Sequence, residues 1–164
     1  MTEKSTYNIL FVCTGNTCRS PMAEGIAKKI AEEYSTNHIS ISSAGTSALN
    51  GMPATDYAVE AAKHWDIDIS NHRSTPLSKK LIQNSDLILT MAPEHIQSIF
   101  NMDKTALTKS FMFKGFPQPY NSFQERVEDP IGGTLEQYNQ TFLELDEVLR
   151  TVFPQIVELS QIND

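Results

Sequence analysis

The sequence predicts an α/β fold: a single-domain three-layer sandwich with a four-stranded parallel sheet and helices on both faces. Three observations point there. Short apolar runs alternate along the chain with amphipathic helical patterns. One run, Asp86-Leu87-Ile88-Leu89-Thr90-Met91, is apolar without alternation, as suits a strand covered on both faces. No linker, internal repeat or low-complexity tract divides residues 1–164, a length that suits one domain burying about 70% of its unfolded surface.

The elements follow in order. Ile9-Leu10-Phe11-Val12 reads as the first strand. Pro21 to Tyr34 reads as a helix with Met22, Ala23, Ile26, Ala27 and Ile30 on one stripe. Ser20-Pro21 reads as its start, a hydroxyl at the cap and proline at the first helical position. His38 to Ser42 alternates as a second strand, and Ala44-Gly45-Thr46 supplies a turn after it. Ala54 to Trp65 is a second helix, packed through Ala58, Ala61, Ala62 and Trp65, with Asp66 to Ser70 as its exit. Leu77 to Gln83 forms a short helix behind Pro76, before the Asp86–Met91 strand. Pro93 to Asn101 is helical and Lys109 to Phe113 is the fourth strand. Lys114 to Glu128, with Gly115, Pro117 and Pro119, is a loop. Thr134 to Leu159 is a long amphipathic helix with Tyr138, Phe142, Leu145, Leu149 and Val152 on one face and Pro154 as a point of kinking. In such folds ligands sit at the carboxyl ends of the strands, where strand order reverses, so the loop after the first strand is the place to look.

Composition narrows the function. Apolar residues make up 40% and charged residues 20%, the balance of a soluble globular chain. No apolar stretch approaches a membrane span, and Met1 to Thr6 lacks the charged-then-apolar order of a secretory signal. A net charge of −7 disfavours nucleic acid and anionic membranes as partners. The two cysteines, Cys13 and Cys18, share one loop, which is not a disulfide framework and fits a reducing, cytoplasmic setting. His38, His64, His72 and His95 show no ligand spacing, so neither metal nor cofactor is expected. A monomer is the expected state.

The run Val12-Cys13-Thr14-Gly15-Asn16-Thr17-Cys18-Arg19-Ser20-Pro21 carries the chemistry. It joins a strand to a helix, so loop N–H groups and the helix N-terminus converge on one spot. Arg19 adds a planar fork for phosphate oxygens. Thr14, Gly15, Asn16, Thr17, Cys18, Arg19 and Ser20 would form the cradle, and Gly15 and Asn16 tolerate positive φ. Cys13 lies in that positive field, which favours its thiolate; a pKa of about 5 would leave roughly 99% ionised at neutral pH. A thiolate beside a phosphate cradle implies attack on phosphorus and a phosphocysteine. Such a reaction needs an acid for the leaving group, and Glu128-Asp129-Pro130-Ile131-Gly132-Gly133 is the best source. Local sequence leaves two roles open for Asp129: that acid, or a cap on the last helix.

These residues, with the Ser42-Ser43-Ala44-Gly45-Thr46 run and the late Asp129-Pro130 pair, resemble the low-molecular-weight protein tyrosine phosphatase family over nearly the whole chain. The resemblance implies a catalytic loop at 13–20 and an acid loop at 128–133 in one phosphatase domain, with a phosphorylated protein as substrate. It implies that Cys13 is the nucleophile and Arg19 binds the phosphoryl oxygens. Asp129 would protonate the leaving group and then activate water. Asn16 and Ser43 would hold the loop's shape, and Ser20 would hydrogen-bond the Cys13 sulfur. His72 matches a family position near this network, or is an ordinary half-buried loop histidine.

Two departures bear on the substrate. Where tyrosine-directed members carry aromatic residues after the Asp-Pro pair, this chain has Ile131, Gly132 and Gly133; Thr17 replaces a larger aliphatic residue. Both resemble the bacterial protein arginine phosphatase branch, in which the threonine helps select a guanidinium. Phosphoarginine is therefore the expected substrate, with phosphotyrosine the alternative. Cys18 is close enough in sequence to pair reversibly with Cys13, or is a small packed residue. An arsenate reductase relay needs further cysteines downstream, which this chain lacks. A noncatalytic phosphate-binding module would need neither thiolate nor acid.

Overall fold

Alternate residues of the central strand feed two different cores. The computed structural model describes residues 6–162. In β1 (Tyr7–Cys13), Tyr7, Ile9, Phe11 and Cys13 face one apolar cluster, and Leu10 and Val12 face another. A strand buried on both faces needs partners on both sides of the sheet, and the remaining elements supply them. They are α1 (Arg19–Glu33), β2 (Ile39–Gly45), α2 (Asp56–Lys63), α3 (Lys79–Asn84), β3 (Leu87–Thr90), α4 (Pro93–Met102), a 3-10 turn (Lys104–Lys109), β4 (Ser110–Met112) and α5 (Leu135–Ile162).

The four strands are all parallel in the order β2-β1-β3-β4. Residues of α1, α2 and α5, including Met22, Ile26, Ala61, Phe142, Leu149 and Phe153, build the larger core. Ile82 of α3, Ile99 of α4 and Ala106 close the other face with Ala44 and Ile88. Strand order reverses at β1, which pairs with β2 on one side and β3 on the other. The loop after Cys13 therefore opens at the switch point of the sheet.

Several boundaries differ from the sequence reading, each for a physical reason. β2 does not turn at Ala44; it runs to Gly45, with Ser42 through Gly45 paired to Leu10 through Cys13. Lost alternation there marks burial on both faces, since Ser43, Ala44 and Gly45 are all buried. α1 begins at Arg19, and Cys18 occupies the cap without a capping bond from its side chain. Ser20 and Pro21 thus lie inside the first turn, where proline costs nothing because those N–H groups have no helical acceptor. α2 is shorter than expected, and Trp65 is not on its packed face: it lies beyond the helix, 46% exposed, with its ring stacked on Phe142. α5 continues through Pro154, and its buried face passes through Phe153, with Val152 only partly buried. Among the described residues no helix is long and apolar enough to cross a membrane.

Candidate active site

The loop from Cys13 to Ser20 is wired through one fully buried side chain. Asn16 has φ of 58°, the left-handed conformation that asparagine tolerates. Its Nδ2 donates to Ser20 Oγ at 2.7 Å and to Ser43 Oγ at 2.9 Å. Its Oδ1 accepts the Thr75 N–H at 2.8 Å, which fixes the amide orientation. Its carbonyl lies 2.7 Å from His72 Nε2; a carbonyl only accepts, so that nitrogen carries the proton.

The chain of bonds has a direction. Ser43 Oγ donates to Glu24 Oε1 at 2.7 Å, because a carboxylate only accepts. The Ser43 oxygen is then free to accept from Asn16. Ser20 likewise accepts from Asn16, which leaves its proton for Cys13 Sγ at 2.9 Å. The Asn16 N–H also points at Cys13 Sγ, at 3.2 Å. Two donors therefore meet the sulfur, the arrangement that favours a thiolate. Glu24 was not singled out by the sequence reading. Its signal was the four-residue spacing from Ser20 along α1, which puts both on one helix face.

Burial opposes these donors. It is the largest influence on the Cys13 thiol and pushes its pKa up; the Ser20 and Asn16 hydrogen bonds and the Arg19 charge push it down. The net direction is upward, opposite to the depressed value expected from the sequence. The enclosure that sequence could not show is the reason: Cys13 is 3% exposed. The uncapped N-terminus of α1 adds a further favourable field for an anion.

Gly45 lets the loop pack this closely. A Cβ there would meet the Thr14 carbonyl oxygen at 2.5 Å and the Asn16 nitrogen at 2.9 Å. Gly45 is the last residue of β2, and beyond it Thr46 and Ser47 donate to the Cys13 and Thr14 carbonyls. Among the described residues, the N–H groups of Gly15, Thr17, Cys18 and Arg19 find no acceptor within the protein. Those same residues, with Cys13, Asp129 and Ile131, line a small cavity. Unpaired N–H groups around a cavity at a helix N-terminus form a site for an oxyanion.

Arg19 is 4% exposed. Its Nη1 donates to the Val127 carbonyl at 2.9 Å, and its Nη2 lies 3.5 Å from Thr14 Oγ1 and 3.6 Å from Asp129 Oδ2. Asp129 is thus brought to the cavity, 41% exposed, with Oδ1 accepting the Ile131 N–H at 3.1 Å. It does not cap α5. Thr134 does, accepting from Gln137 N at 3.2 Å while Gln137 Oε1 accepts from Thr134 N at 2.9 Å. Thr17 is half-buried, and among the described residues its hydroxyl makes only a long 3.9 Å contact, to Cys18 Sγ. Cys18 Sγ lies 3.3 Å from Tyr138 Oη and 3.5 Å from Thr55 Oγ1. His95, also missed in the sequence, sits behind the loop, 2.9 Å from Thr14 Oγ1. Among the described residues, no three histidine, cysteine or acidic side chains cluster to hold a metal.

A thiol at the floor of an anion cradle, an arginine fork and a carboxylate at the rim together define a cysteine-dependent phosphatase. Comparison with known proteins agrees. The sequence profile of the low molecular weight phosphotyrosine protein phosphatase family matches residues 8–161, and the chain belongs to that family. A protein-arginine-phosphatase of Bacillus subtilis is 41% identical over 149 residues, covering 91% of this chain and 96% of the relative. The structure of YwlE arginine phosphatase, in a serine mutant with a phosphorylated active site serine, superposes with a TM-score of 0.84 at 40% identity, covering 91% of this chain and 95% of the other. A low molecular weight protein tyrosine phosphatase from T. tengcongensis superposes at 0.83 with 38% identity, covering 92% and 99%.

Proposed function

We propose that this chain hydrolyses protein phosphoarginine through a phosphocysteine, as one catalytic unit running through residues 1–164. Cys13 Sγ attacks phosphorus and the bond to the guanidino nitrogen breaks. Asp129 protonates that nitrogen, so arginine leaves as its stable guanidinium. Water then attacks the thiophosphoryl group, Asp129 takes its proton, and the thiolate leaves with the Ser20 hydroxyl donating to it. Thr14 to Ser20 and the Arg19 fork hold the equatorial oxygens throughout. Asn16, Ser43 and His72 keep the loop in shape. In the solved relative, phosphate sits on the serine that replaces the active-site cysteine, which supports covalent transfer to that position.

Thr17 carries the choice of phosphoarginine. Among the described residues its hydroxyl makes only the long contact to Cys18, and Thr17 lines the cavity with Ile131, which Gly132 and Gly133 follow in the chain. A guanidinium N–H satisfies that oxygen, whereas a phenyl ring leaves it unpaired and finds no aromatic wall. The relative named a protein-arginine-phosphatase supports the same reading. Reduced Cys13 and Cys18 fit a cytoplasmic setting, with Cys18 as redox partner of the nucleophile.

The test is kcat/KM on a phosphoarginine protein beside a phosphotyrosine peptide, with Cys13→Ser as the blank. We expect preference for phosphoarginine, and Thr17→Ile to lower the ratio about tenfold. A wild-type preference for phosphotyrosine overturns the substrate assignment; turnover by Cys13→Ser overturns the mechanism.

A further inference from the structure

His95 lies outside the catalytic loop, on α4, and is fully buried. Both ring nitrogens are engaged. Nδ1 accepts the Ala92 N–H at 3.0 Å, and Nε2 is 2.9 Å from Thr14 Oγ1. A nitrogen that accepts a backbone N–H bears no proton, so in the neutral ring the proton is on Nε2 and His95 donates to Thr14. The neutral ring is the favoured form: burial first, and then the Arg19 charge, push its pKa down to about 4.

Thr14 Oγ1 also faces Arg19 Nη2 at 3.5 Å. With His95 and Arg19 both donating toward its oxygen, the Thr14 hydroxyl must send its own proton to a third group. Thr14 is exposed on the loop, so solvent can take that proton. Among the described residues, three oxygens face the Arg19 fork, those of Val127, Asp129 and Thr14. Thr14 is the one of these anchored by a second buried side chain.

We propose that His95 is a positioning residue for phosphoryl transfer. Through Thr14 it fixes the Arg19 fork at the rim of the phosphate cradle. This rests on the loop from Cys13 to Ser20 being the phosphate site. A histidine that merely fills the core and closes the first turn of α4 would affect stability, with no dependence on Thr14.

The experiment measures kcat/KM on an aryl phosphate ester and the inhibition constant of inorganic phosphate. The proteins are wild type, His95→Leu, His95→Gln, Thr14→Val and the Leu/Val double variant. An uncharged donor amide in His95→Gln reaches Thr14 and is expected to stay within about threefold of wild type. His95→Leu and Thr14→Val are each expected to lose about tenfold in kcat/KM and to weaken phosphate about tenfold. The double variant is expected to be no worse than either single one, because both break one connection. Losses that multiply in the double variant, or His95→Leu at wild-type constants, overturn the proposal. Should His95→Leu fail to fold, Thr14→Val decides it: unchanged phosphate inhibition overturns the proposal. Wild-type inactivity on both the ester and phosphoarginine would instead overturn the phosphatase reading.

Discussion

Asn16 shows how much a single residue holds in place here. It takes the positive φ, fixes three neighbours with its amide and orders the protons up to the sulfur. The last step of that order is the Ser20 hydroxyl, 2.9 Å from Cys13 Sγ. A hydrogen bond to the charged form lowers a thiol's pKa, so its removal raises it. Ser20→Ala is therefore expected to move the midpoint of Cys13 alkylation by iodoacetamide to higher pH by about one unit, with a slower rate below the midpoint. A midpoint equal to wild type would mean that the hydroxyl points elsewhere. The residues that sequence revealed are those whose meaning is local. Cys13, Asn16, Arg19 and Ser20 lie within one short loop between a strand and a helix. Glu24 and His95 act on that loop from α1 and α4; the spacing of Glu24 from Ser20 marks its helix face, but nothing local says that Ser43 or Thr14 lies opposite these side chains. The Cys13 pKa shift was misread for a related cause: donors are visible in a sequence, burial by distant elements is not.

At the scale of elements, every strand and α-helix was legible in type, from its period or, for β3, from an unbroken apolar run; the 3-10 turn before β4 was not, and the ends of elements answer to tertiary contacts. β2 extends to Gly45 because β1 pairs with it that far, and α1 starts early because Ser20 is used on the thiol rather than on its cap. Helix packing also sets the surroundings of Cys18. Its sulfur rests against Tyr138 of α5 and Thr55 just before α2, within the cavity that Cys13 lines. Peroxide oxidises the Cys13 thiolate to a sulfenic acid, releasing hydroxide. The Cys18 thiol is then expected to attack that sulfur, its proton leaving with the second oxygen as water as the disulfide forms. Mild peroxide is expected to give a Cys13–Cys18 disulfide by mass mapping, with activity restored by thiol reductant. Tyr138→Phe removes a hydroxyl from the Cys18 sulfur and is expected to change the rate of that closure. A stable sulfinic acid on Cys13 with Cys18 unmodified would show that Cys18 is only a packed residue.

Across the whole molecule the site is a junction of distant segments. The β1–α1 loop is joined to β2 through Ser43, to the α2–α3 connection through His72 and Thr75, and to the stretch before α5 through the Arg19 bond to Val127. A ligand that fills the cradle is held only when all of these are assembled, so it binds the native state and not the unfolded chain. Inorganic phosphate at a hundred times its Kd is then expected to add about 2.7 kcal/mol to stability. For a domain of this size that raises Tm by about 5–10 °C. Calorimetry across a phosphate series reads the shift directly. In Arg19→Ala the ligand-induced shift is expected to collapse at the same phosphate concentrations, whatever the variant's own Tm, because the comparison is made within each protein. Cys13→Ser is expected to keep most of it, since the loop N–H groups and Arg19 remain. An equal shift in wild type and Arg19→Ala would place the phosphate elsewhere on the surface, and the cradle between β1 and α1 would lose its assignment.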